Sequence, residues 1–72
     1  MTNSKLLKKF INDSGLKMTY IAQQMGISRA VLWRKINNLS SFDQYEIERI
    51  CRIVGIKTAE DRIAVFFAQN VD

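Results

Sequence analysis

The side chains of this 72-residue chain that could do chemistry are few and mostly cationic. Histidine is absent and Cys51 is the single cysteine, so neither a Cys/His zinc site nor an intrachain disulfide can be assembled. The lack of histidine also removes the commonest general base, and the Asp and Glu residues stand mostly where helix caps and first turns use them. What remains is guanidinium and ammonium. Residues 1–38 hold Lys5, Lys8, Lys9, Lys17, Arg29, Arg34 and Lys35 against Asp13 alone, a balance of +6, whereas residues 39–72 come to −2. Such an asymmetry suits a polyanion for the first half and a different surface for the second. The expectation is a binding module, not an enzyme, with no cofactor, no metal and no small-molecule substrate.

The elements that must position these charges are short helices. Hydrophobic residues make up 47% and charged residues 25% of the chain, a globular composition, and proline is absent. No uncharged apolar run approaches the roughly 20 residues of a membrane span, and a soluble, cytoplasmic protein is expected. Leu6, Leu7, Phe10 and Ile11 form a helical stripe after the cap candidates Asn3 and Ser4, with Gly15 as a stop. Met18, Ile21, Ala22 and Met25 follow the i, i+3, i+4, i+7 pattern and end at Gly26. Ser28 then caps a third helix buried through Leu32 and Ile36. Asp43 and Glu46 have the spacing of a capping box, Phe42 and Ile47 that of a hydrophobic staple, and Ile47, Ile50, Cys51 and Val54 point inward before Gly55. Thr58 caps a fifth helix, with Ile63, Phe66 and Phe67 on its inner face. The reading is all-α: one five-helix domain over residues 1–72.

Residues 18–37, MTYIAQQMGISRAVLWRKIN, resemble the helix-turn-helix of the lambda-repressor-like (XRE/Cro) family, on Ala22, Gly26, Ile27, Ser28 and Leu32. A small residue at Ala22 permits close helix approach, Gly26 the tight turn, Ile27 fills the angle and Leu32 pins the second helix. The following NNLSSFDQYEIERICRIVGI also looks like that family's loop and fourth helix. The resemblance implies a lambda-repressor-like DNA-binding fold, with the third helix in the major groove and the second lying across the backbone.

At 100° per residue from Leu32, Ala30 and Arg34 fall outward, with Trp33 and Asn37 on one flank and Val31 on the other. Arg29 occupies the first turn, the end that enters the groove in this family. Arg29, Ala30, Trp33 and Arg34 are therefore expected to face bases; an arginine fork matches guanine O6 and N7, and Ala30 suits a thymine methyl. Lys17, Thr19, Ser28, Lys35, Asn37 and Asn38 are expected to meet phosphates. Trp33 has two uses open to it, stacking on a sugar or packing against Tyr45. Lys5, Lys8 and Lys9 read as a solvated face and Cys51 as core.

The last helix, about residues 58–69, carries IAVFFA, apolar on several sides, and so calls for cover from a second surface. Val65 is expected outward, with Phe66 or Phe67 beside it, as an interface for a second copy or a related protein, unless residues 69–72 fold back over it. Together with the S-x-F-D run, this tail is similar to the short Cro-type modulators of repression of temperate bacteriophages. That resemblance implies operator DNA and a phage CI-type repressor as partners, in the host cytoplasm. A second reading is an antirepressor acting mainly through protein contact, with weak DNA binding of its own.

Overall fold

The computed structural model describes residues 1–68, and the possible fold-back of residues 69–72 lies outside them. Five helices follow one another: α1 (Ser4–Ser14), α2 (Met18–Met25), α3 (Arg29–Ile36), α4 (Gln44–Val54) and α5 (Ala59–Phe66). No strand occurs among the described residues. The architecture is all-α, as the helical periodicity required.

Local chemistry explains each boundary. Asn3 accepts a hydrogen bond from the Leu6 amide, Ser28 from Val31, Asp43 from Glu46 and Thr58 from Asp61. Each thereby satisfies one amide that a helix start leaves without a partner. The Asp43 capping box is complete, because the Glu46 carboxylate accepts in return from the Asp43 amide at 2.9 Å. Replacing Asp43 with alanine will therefore lower stability by about 1 kcal/mol, readable as a reduced midpoint in urea with an unchanged slope. Helix α2 starts at Lys17 with no side-chain cap. Its stability must come from packing.

One core joins all five elements. Leu7, Ile21, Leu32, Ile36, Ile50, Ile56 and Val65 are fully enclosed, and Ile11, Ala22, Met25, Cys51, Val54 and Phe66 complete the cluster. Helix α2 packs on both α3 and α4, while α1 touches α3, α4 and α5. Phe42 meets Phe66 edge to face at 5.5 Å between ring centroids, tying the α3–α4 loop to α5. Burial pushes the Cys51 thiol up from its ordinary value, as befits a small core residue.

Helix α5 turns a different side inward from the one its sequence suggested. Val65, expected outward as a protein interface, is fully buried, and Phe66 is buried with it. Ile63, expected inward, is 59% exposed, and of Phe66 and Phe67, each a candidate for either side, Phe66 turns inward and Phe67 is 60% exposed. Two contacts from outside the helix accompany this rotation. The Asn3 amide donates to the Val65 carbonyl at 2.7 Å, and the Phe42 ring receives Phe66. Neither partner is local to the helix, so its own eight residues could not reveal its phase.

Candidate nucleic-acid interface

The turn between α2 and α3 is built on Gly26, whose φ of +71° lies in the left-handed region that a side chain would strain. The Ile27 amide donates back to the Ala22 carbonyl at 3.1 Å, closing the end of α2. Two residues later Ser28 opens α3, so the helices are joined by the shortest of links. Ala22 is buried at this junction and Ile27 is half-buried against the core, which are the roles their sizes suggested.

Helix α3 keeps Leu32 and Ile36 in the core and presents Arg29, Ala30, Val31, Trp33 and Arg34 to solvent. Arg29 forms no ion pair or side-chain hydrogen bond among the described residues. Arg34 makes only a long 3.5 Å contact from Nη2 to the Leu39 carbonyl. Trp33 is 54% exposed. It borders a shallow groove of about 390 Å³ with Lys8, Leu16 and Met18, on the α1 side of the helix, and forms no ring pair with Tyr45. Lys17, the N-cap position of α2, and Thr19 in its first turn stand exposed, close to the chain's entry into the motif.

Three residues expected to meet phosphates are occupied inside the protein. Lys35 Nζ lies 2.9 Å from Glu46 Oε1 and donates to the Ser41 carbonyl at 2.8 Å, with its side chain only 15% exposed. Asn37 accepts from Lys8 Nζ at 2.9 Å and donates to the Trp33 carbonyl at 2.9 Å. Asn38 adopts φ +62° and clasps Thr2, accepting from its amide at 2.9 Å and donating to its carbonyl at 2.8 Å. Ser4 Oγ adds a bond to the Ile36 carbonyl, the last residue of α3. Asn37 and Ser4 satisfy carbonyls that the end of α3 leaves unpaired, whereas Lys35 ties α3 to the following loop and α4, and Asn38 ties it to the N-terminal segment. These groups hold α3 in place. Lys17, Thr19 and the cap Ser28 remain exposed from the phosphate set, although the Ser28 hydroxyl already accepts from Val31 at 3.1 Å.

A measurable consequence follows for Lys35. Lys35→Ala will lower stability by about 1–2 kcal/mol, through loss of a partly enclosed charged hydrogen bond. It will leave the salt dependence of DNA binding unchanged, whereas Lys17→Ala will reduce the slope of log K against log salt by about 0.9. Anisotropy titrations of a labelled duplex at several salt concentrations separate the two.

The anchoring set was largely hidden from sequence reasoning. Thr2 is buried, Asn38 is the one residue other than glycine with positive φ among the described residues, and Lys8, exposed with Lys5 and Lys9 as expected, also donates to Asn37. Only asparagine's tolerance of the left-handed region gave a signal for Asn38. No cluster of three or more His, Cys, Asp or Glu placed to hold a metal occurs among the described residues, and no helix among them is long and apolar enough to cross a membrane.

The profile of the Mga helix-turn-helix domain matches residues 2–70, nearly the whole chain. No curated protein and no solved structure matches it. A capped, outward-facing α3 joined to α2 through Gly26, inside a match of that length, has one reading: the chain belongs to the Mga helix-turn-helix domain family, a helix-turn-helix of DNA-binding regulators.

Proposed function

We propose that this chain binds double-stranded operator DNA with α3 in the major groove, Arg29, Ala30, Trp33 and Arg34 facing bases and Lys17, Thr19 and Ser28 near phosphates. The observation that carries this is the outward side of α3: exposed guanidinium groups on a helix whose far end is fastened to α1 and α4. A helix held this firmly loses little further freedom on docking, so its contacts are spent on recognition. The regulator acts by occluding a promoter. We propose further that it acts at the lysis/lysogeny switch of a temperate phage, opposite a CI-type repressor; the resemblance of its helix-turn-helix and tail to Cro-type modulators of repression supports this reading. A quantitative titration against that switch region, with and without the repressor, tests the proposal. A preference of about a thousandfold or more over random duplex is expected; equal affinity for both rejects it.

A second reading, an antirepressor that works by binding the repressor, is favoured by two observations. Ile63 and Phe67 leave apolar surface on the outer side of α5, and three of the six polar residues expected at phosphates are committed elsewhere. On this reading the protein interface is Phe67 with Ile63, and the same titration shows the repressor leaving its operator while this chain alone binds no DNA.

A further inference from the structure

We infer, on the basis of the DNA-reading function proposed above, that α3 recognises a restricted alphabet: guanines through Arg29 and Arg34, and thymine methyl groups through Ala30 and Val31. No adenine is read by an amide and no cytosine by a carboxylate.

The inference comes from what the exposed side of α3 contains and lacks. Adenine presents N7 and N6–H₂ together in the major groove, which an Asn or Gln side chain matches, and cytosine N4–H₂ needs an acceptor such as Asp or Glu. Arg29, Ala30, Val31, Trp33 and Arg34 offer none of these groups. The two amides that follow α3 are spent: Asn37 on Lys8 and the Trp33 carbonyl, Asn38 on Thr2 and Ser4. The exposed Gln23 and Gln24 belong to α2, the helix that lies across the backbone in this motif.

What α3 offers beside its two arginines is apolar. Val31 is 38% exposed although it is branched and hydrophobic, and exposed Ala30 adjoins it. The C5-methyl of thymine is the one apolar group on a base-pair edge in the major groove, and burying it against Ala30 and Val31 removes apolar surface from water on both sides. A·T is then told from T·A by the strand that carries the methyl.

The test starts with selection of duplexes from a random library by the full chain. The enriched site is then remade with uracil for single thymines, 7-deazaguanine for single guanines and 7-deazaadenine for single adenines. Uracil at one or two positions should weaken binding about three- to fivefold each, the value of one buried methyl. Val31→Ala, an exposed helix position that will fold, should lose that sensitivity at one of them. Sensitivity to 7-deazaguanine should disappear at one position in Arg29→Ala. An enriched site indifferent to uracil, or one weakened by 7-deazaadenine, overturns the alphabet and leaves DNA reading standing. Enrichment of no sequence at all overturns both.

Discussion

Arg29→Ala is expected to weaken binding to the specific operator by about 1–3 kcal/mol, roughly 5- to 150-fold, while binding to random duplex changes little. Arg29 is the first residue of α3, exposed and without an ion-pair partner among the described residues. No acidic residue occupies that first turn. A cation there faces the positive end of the helix dipole, so the fold gains nothing from its charge. The same substitution should therefore leave stability unchanged or raise it by a few tenths of a kcal/mol, since alanine is also the better helix former. That pairing of lost recognition with retained stability is what a residue kept for a ligand produces. Arg34→Ala should show the same loss on specific DNA with a small cost in stability, because its charge lies in the last turn, where the dipole favours it. Titrations on both duplexes, with urea unfolding of each variant, read all of these quantities. Equal losses on operator and random DNA would reject base reading by the substituted arginine.

Leu32→Ala will have the largest effect on the fold. Leu32 is fully buried and is the point at which α3 enters the core. Truncating such a side chain costs about 2–5 kcal/mol, from lost transfer energy and the cavity left behind. Small domains sit at the low end of the usual 5–15 kcal/mol of total stability, so a sizeable unfolded fraction is expected near 37 °C. Trp33, the only tryptophan and the next residue along, reports the transition by fluorescence. Operator binding should fall in proportion to the unfolded fraction and recover on cooling. Leu32→Met, which conserves volume, should cost under about 1.5 kcal/mol and retain binding. A loss below about 1 kcal/mol for Leu32→Ala would mean that α3 is held chiefly by its polar fastenings and not by the core.

Those fastenings mark the boundary between what was legible in the chain and what was not. Asn3, Ser28, Asp43 and Thr58 were readable as caps, and Gly15, Gly26 and Gly55 as stops, because a cap bonds within three residues and a stop depends on its own φ. The stripe through Leu7 and Ile11, the stripe through Ile21, Ala22 and Met25, and the pair Leu32 and Ile36 were readable for the same reason. Helical period alone places them on one side. Ala30 and Arg34 could be named as outward and Trp33 as flanking from the position of Leu32, and Arg29 from its place in the first turn of α3; all four are exposed.

Local pattern was enough for five helices, their starts, the glycine stops, the α2–α3 turn and the outward side of α3, all consequences of interactions spanning four residues or fewer; the last helix, expected over about residues 58–69, is Ala59–Phe66. Which polar groups stay available is set by contacts between distant parts of the chain. Lys35 meets Glu46 from eleven residues away, Lys8 reaches Asn37 across 29, and Asn38 clasps Thr2 across 36. The tertiary structure also settles which side of α5 is buried. That helix carries apolar residues on two sides, so its own pattern leaves the rotation open until Asn3 and Phe42 arrive from elsewhere in the chain. A helical wheel states where a side chain points; whether it is free when a ligand approaches depends on neighbours that only folding brings within hydrogen-bonding distance.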